Sequence, residues 1–157
     1  MAAEPIGDGI TATVRWTGDR TFEGEFRGGE RTTLASGGNH PGPGPSPIEA
    51  IQSALAACSG VDVVEILQKM RQGLATLAIE VAAERRDAQP RVYTRIHLVY
   101  RITGPELDAE QVVRAVELSQ DKYCSVAAML RPAVALSWEV WVNENFAARS
   151  AAAESVP

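Results

Sequence analysis

Two thiols are the only candidates for strong nucleophiles in this 157-residue chain. Cys58 lies in the run AACSGVDVVEILQKM (56–70) and Cys124 in SQDKYCSVAAML (119–130). A thiolate attacks peroxides, disulfides and electrophiles, and two thiols brought together can close a disulfide. A free cysteine is equally at home as a small buried hydrophobe, so its surroundings decide between the two readings. Cys124 falls where one helix ends and the next begins, and unpaired backbone N–H groups there lower a thiol pKa. Cys58 sits mid-helix, with Asp62 four and Glu65 seven residues further along the same face. Nearby negative charge disfavours a thiolate. If Cys58 is the nucleophile, a basic group must therefore come from elsewhere. The choices are Arg20 in the first hairpin, His40 in a Gly/Pro loop, and Lys122 and Arg131 near Cys124.

Other chemistries find less support. Two Cys and two His match a tetrahedral zinc site by count, but structural zinc ligands arrive in short-spaced pairs and these four are isolated. No G-x-S-x-G follows a strand, which removes the signature of one large class of serine hydrolases. The run GGNHPGPGP lacks the Lys of a phosphate loop. His97 falls on the outward face of a strand with Arg95 and Arg101, a solvated position. Neither a metal nor a cofactor is expected.

The elements that must hold the thiols follow from periodicity and punctuation. ITATVRW (10–16), TFEGEFR (21–27) and ERTTLA (30–35) carry β-formers separated by Gly18-Asp19 and Gly28-Gly29, which predicts a three-stranded meander. SGGNHPGPGPSP (36–47) reads as an exposed loop, with a lid as the sharper alternative. Ser46, Pro47 and Glu49 mark a helix start with a capping box, and Gly73 is the natural stop. A helix over Pro47 to Gln72 would be ~39 Å long at ~1.5 Å per residue, more than a small domain covers. Its polar side also moves, from Glu49, Gln52, Ser53 and Gly60 to Asp62, Glu65 and Lys69. A second subunit would supply the missing cover, which predicts a homodimer.

LAIEVAAERR (77–86) and RVYTRIHLVYRIT (91–103) are the next strands, with Val92, Thr94, Ile96, Leu98, Tyr100 and Ile102 on one face. Asp108 caps a second helix with Gln111 at the box position. CSVAAML (124–130) gives a short third helix, and ALSWEVWV (135–142) a last strand. Residues 1–8 and 147–157 read as disordered. The order βββ-α-ββ-αα-β defines an α+β fold in a single domain over 1–157, with its core over 10–142.

Fifteen Lys and Arg against twenty Asp and Glu, without a basic block, argue against a nucleic-acid partner. MAAEPIGDGI lacks the basic and apolar regions of a signal peptide, and no stretch approaches ~20 clean apolar residues, so a cytoplasmic protein with no membrane partner is expected. In that reducing setting a disulfide would be transient and catalytic.

PSPIEAIQSALAACSGVDVVEILQKMRQ and SQDKYCSVAAML, with the linking ERR…PRVYTRIHLVYRITG, resemble the OsmC/Ohr superfamily of thiol-dependent peroxidases, in its YhfA-like branch. The resemblance covers residues 10 to 142. It implies an intertwined α+β homodimer, antiparallel sheets packed on long central helices, and two active sites shared at the subunit interface. It implies Cys58 as the peroxidatic thiol and Cys124 as the resolving thiol. Cys58 would reduce an organic hydroperoxide and become a sulfenic acid, which Cys124 captures as a disulfide for a dithiol reductant of lipoyl type. In the hydroperoxide branch an Arg and a Glu ten residues before the peroxidatic Cys activate the thiolate. Here that place is Ile48, Glu49 is one position off, and Arg20 is a loose match for the Arg. The rival readings are a binding or redox-sensing protein with the same thiols, and a structural dimer with inert ones.

Overall fold

A computed structural model of the chain describes residues 12–36 and 42–151. It is mixed α+β with two separate sheets, as expected, and its polypeptide falls into two compact units, residues 1–52 and 53–157, between which α1 runs on unbroken.

The first unit holds the meander β1 (Ala12–Gly18), β2 (Thr21–Phe26) and β3 (Arg31–Ala35), antiparallel throughout. Period-2 alternation divides its faces. Arg15, Glu23, Glu25 and Arg31 share one face and pair there, Arg31 to Glu23 at 3.0 Å and Arg15 to Glu25 at 3.3 Å. Val14, Trp16, Phe22 and Phe26 share the other and are exposed. Of the loop expected over 36–47, residues 37–41, His40 among them, lie outside the described residues. The following segment runs along β3, with Ala35 N–H donating to Pro45 O at 3.0 Å. Gly44 lies so close that a Cβ there would come within 2.2 Å of Thr33 O. That segment is docked rather than free.

Helix α1 (Pro47–Lys69) starts on the expected capping box. Glu49 N–H donates to Ser46 Oγ at 3.3 Å while Ser46 N–H and Oγ–H donate to Glu49 Oε2 at 2.9 and 2.5 Å. These bonds hold the Glu49 carboxyl below its usual pKa. The helix ends before Gly73, which corrects the expected stop. Arg71 takes the left-handed conformation at φ 58°, Arg71 N–H reaches Gln68 O and Gln72 N–H reaches Leu67 O, both at 3.0 Å. This is a Schellman closure with Arg where Gly is usual. Gly73 serves a different need, because the chain at 104–105 presses on it. A Cβ on Gly104 would lie 1.8 Å from Gly73 O.

The buried residues of α1 form one stripe, Leu55, Ser59, Val63 and Leu67, instead of the shifting face expected. By length and composition alone the helix would also suffice to cross a membrane, a test that core helices pass as well, although Glu49, Asp62, Glu65 and Lys69 interrupt its apolar run as expected. Most of its surface is uncovered.

The second sheet runs in the order β4 (Thr76–Arg85), β5 (Tyr93–Thr103), β6 (Ala135–Val142), β7 (Asn145–Arg149). The pair β5–β6 is parallel, against the expected antiparallel pairing, because α2 (Ala109–Leu118), a π-helical turn (Ser119–Tyr123) and α3 (Ser125–Leu130) form the crossover between them. Ile96, Leu98, Tyr100 and Ile102 are buried as expected. A register shift between Glu84 and Arg85 turns Tyr93 inward and leaves Val92 exposed before the strand. Asp108 caps α2 by accepting from Glu110 N–H at 2.9 Å and Gln111 N–H at 3.4 Å.

Strand β7 corrects the expectation of a disordered tail from 147. Asn143 and Glu144, at φ 46° and 67°, make the tight turn that twisted hairpins favour. Phe146 packs edge-on against Trp141 with centroids 5.6 Å apart. Beyond the strand, Ser150 N–H still donates to Trp138 O at 2.9 Å. Residues 1–8 and 152–157 lie outside the described residues.

Two substitutions test this account by urea denaturation. Arg71→Gly relieves the left-handed Cβ contact and should stabilise the fold by about 0.5–1 kcal/mol. Gly104→Ala should destabilise it by about 1–3 kcal/mol through backbone overlap. A loss in the first or no change in the second would contradict the account.

Candidate thiol site

Cys58 and Cys124 both belong to the second unit, and they meet. Cys58 is half-buried on α1, one position from the buried stripe. Cys124 is buried at 2% exposure and caps α3, its Sγ accepting from Ala127 N–H at 3.4 Å. Neither is in a disulfide. The Cys124 thiol is pushed up to about 11, first by burial, then by hydrogen bonding and charge interaction with Cys58, while the backbone N–H of Ala127 and Val126 pull it partway back. This overturns the expectation of a lowered pKa. The helix start is present, but desolvation of the sulfur outweighs two N–H groups.

The basic candidates separate. Lys122, Arg131 and Gln120 line a pocket of about 370 Å³ together with Cys124. Arg131 donates to Gln120 O at 2.9 Å, which ties it to the wall. Arg20 lies in the turn between β1 and β2, in the other unit. Asp62 and Glu65 lie along α1 as expected, but each has a use. Asp62 Oδ2 accepts from Ser119 Oγ–H at 3.0 Å, and Glu65 pairs with Lys69 at 3.8 Å in solvent. No cluster of three metal-ligating side chains occurs among the described residues.

Sequence reasoning missed the polar group that holds this site. Ser59, Ser119 and Gln120 are the buried polar residues among those described, and Tyr100 is fully buried beside them. Ser59 Oγ lies 2.5 Å from Tyr100 OH and 2.8 Å from Ser119 Oγ, and Gln120 Nε2 donates to Tyr100 OH at 2.7 Å and to Ser59 Oγ at 3.1 Å. Burial pushes the Tyr100 phenol up to about 12, with Cys124 and Asp62 adding to the shift and bonds to Ser59 and Gln120 opposing it. A signal was available: Ser59 follows Leu55 and precedes Val63 at four-residue spacing, a hydroxyl on an apolar stripe. Ser119 and Gln120 had none. They are consecutive, and both face inward because they open the π-helical turn, a distortion that clusters at functional sites.

Comparison with known proteins places these features in a family. Residues 37–139 match the family described as OsmC-like protein. The chain is 43% identical over 133 residues to Protein YhfA of Escherichia coli strain K12, covering 83% of this chain and 98% of that protein. A solved structure of a hypothetical protein from Aquifex aeolicus VF5 is 31% identical with a TM-score of 0.72, covering 86% of this chain and 98% of that one. An organic hydroperoxide resistance protein from Elizabethkingia anophelis shares the fold at 14% identity, with a TM-score of 0.66 over 85% of this chain and 96% of that one. On the extent of the family match and the identity to YhfA, the chain belongs to the OsmC-like family.

Proposed function

We propose that the protein is a thiol-dependent peroxidase that reduces organic hydroperoxides through Cys58 and Cys124, acting in the cytoplasm as a homodimer with shared sites. The observation that carries this reading is the meeting of the two thiols, one half-buried and one buried. The name of the Elizabethkingia neighbour, an organic hydroperoxide resistance protein, supports the substrate class. Cys58 is the more accessible thiol and is assigned the attack. Its thiolate displaces alkoxide from the terminal peroxide oxygen, and a proton converts the alkoxide to the alcohol. The resulting Cys58 sulfenic acid is attacked by Cys124 sulfur. The Cys124 proton leaves with the sulfenic hydroxyl as water, and the Cys58–Cys124 disulfide remains. A dithiol, of lipoyl type in the family's hydroperoxide branch, returns both thiols. Lys122 and Arg131 stabilise the developing negative charge in the pocket, and Arg20 is retained as a candidate activator.

The homodimer rests on uncovered apolar surface. Val61 on α1 and Val14, Trp16, Phe22 and Phe26 on the first sheet are all exposed. Apolar area of this kind marks association surfaces.

Three outcomes are expected. One equivalent of cumene hydroperoxide should remove two hydrogens per chain from the reduced protein by intact mass, with the loss abolished in Cys58→Ser and Cys124→Ser. No change within minutes would favour a ligand-binding or redox-sensing role for the same thiols. At pH 8, iodoacetamide should modify Cys58 first, because Cys124 stays protonated until the pH rises toward about 11. Earlier labelling of Cys124 in peptide mass spectra would contradict the assignment. Sedimentation should give twice the chain mass of 16.8 kDa at micromolar concentration, whereas a monomer would refute the shared site.

A further inference from the structure

Beside Cys124 the chain leaves two cations without a carboxylate. Twenty Asp and Glu outnumber fifteen Lys and Arg in the sequence, and Arg15, Arg31, Lys69, Arg95, Arg101 and Arg114 each have a carboxylate oxygen within 3.8 Å. Lys122 and Arg131 form no such pair among the described residues, although Asp121 stands in the wall of the same pocket. Both are exposed, so the pocket of about 370 Å³ that they line is open to a ligand. Arg131 is held in place. Its Nη2 donates to Gln120 O at 2.9 Å, from the end of α3 to the π-helical turn, and its other N–H groups remain for binding. The Lys122 ammonium lies 5.2 Å from the centre of the Tyr123 ring and makes no hydrogen bond among the described residues. Ala128 and Pro132 add an apolar part to the wall.

We infer that this pocket recognises the carboxylate of an organic anion, and that the anion is a thiol reductant of the Cys58–Cys124 disulfide. Two cations in one small wall, one of them a tethered guanidinium, fit a carboxylate better than a neutral amide, because charge-assisted hydrogen bonds are about twice as strong as neutral ones. The apolar part of the wall fits a short carbon chain. Asp121 opposes an anion, so the preference rests on an excess of one positive charge, two cations against one acid. The pocket borders Cys124 and not Cys58, which places it with the half of the cycle that reopens the disulfide rather than with the attack on peroxide. In that half a thiolate of the reductant attacks one sulfur of the disulfide, the S–S bond breaks, and the displaced cysteine sulfur takes a proton. A second thiolate then attacks the reductant's own sulfur in the mixed disulfide, and the other cysteine is released and protonated. Two reductant thiols have become one disulfide, and Cys58 and Cys124 are both reduced. The role as reductant rests on the thiol-pair reading of the site, whereas carboxylate recognition does not.

Recognition and reduction can be read separately. Chemical-shift titration of the reduced protein at constant ionic strength should show butyrate binding about tenfold more tightly than butyramide, with the changes centred on residues 120–132. Lys122→Gln should bring the two ligands to within about threefold of each other, and Asp121→Asn should widen the gap, a change of opposite sign that loss of structure does not produce. Equal binding of acid and amide by the wild-type protein, or a gap that neither variant moves, overturns the inference. For the second reading the disulfide is made with diamide, so that no hydroperoxide is involved, and is then reduced with 3-mercaptopropionate or with its amide at equal thiolate concentration. The acid should react about tenfold faster, and Lys122→Gln should cut that ratio to about threefold. Equal rates with the wild-type protein would overturn the role as reductant. If the acid is preferred in both assays while cumene hydroperoxide fails to oxidise the thiols, the pocket assignment stands and the peroxidase reading falls.

Discussion

A hydroxyl buried in the middle of an apolar helix sets the geometry of this site. Ser59 is fully buried on α1, and leaving it unpaired would cost about 1–3 kcal/mol. Tyr100 on β5, and Ser119 and Gln120 on the π-helical turn, supply its partners at 2.5 to 3.1 Å. Because those partners come from two other elements, α1 cannot rotate about its axis without breaking them. Cys58 precedes Ser59, so its direction is set by the same bonds. Cys124 follows the π-helical turn and is placed by its other end. The meeting of the two thiols is a consequence of how one serine is satisfied.

The electrostatics follow from that packing. Cys124 is driven toward its neutral form by burial, and Tyr100 likewise, while Asp62 accepts a hydrogen bond at one end of the hydroxyl chain. Charged side chains enter in the wall of the adjoining pocket, through Lys122 and Arg131 with Asp121 beside them. An arrangement of this kind suits a neutral incoming substrate and an anionic leaving group, with cations placed where the negative charge develops. It differs from the activating Arg and Glu expected of the hydroperoxide branch, since Glu49 is used in the capping box and Ile48 carries no charge.

How much of this was legible depended on whether the signal was local. The capping box at Ser46, the Asp108 cap, the meander and the inward face Ile96–Leu98–Tyr100–Ile102 are all set by near neighbours and by period, and they were readable. The Arg71 closure was not, because the usual marker is glycine and Gly73 offered itself two residues later. The β6–β7 turn was hidden for the same reason, with Glu144 at a position where glycine is common. The parallel β5–β6 pair and the π-helical turn depend on tertiary packing that no window of sequence contains. At the site, the two cysteines were evident by type, and Asp62 by position. Their partners Ser59, Ser119 and Gln120 look like ordinary polar residues until the fold buries them side by side. The Cys124 pKa was misjudged because a helix start is visible in sequence and the depth of burial is not.

The claim that one buried hydroxyl network positions the thiols is tested most directly by timing disulfide closure in Ser59→Ala. This change adds no bulk to the buried stripe and removes the bonds to Tyr100, Ser119 and Gln120. Reduced wild-type and variant proteins would be treated with diamide, quenched with acid and mapped for the Cys58–Cys124 peptide at intervals. The account predicts that the variant, still folded by circular dichroism, closes the disulfide at least about tenfold more slowly, because reacting groups displaced by a fraction of an ångström lose their effective concentration. Closure at the wild-type rate would show that the thiols meet without the network, and would contradict the account.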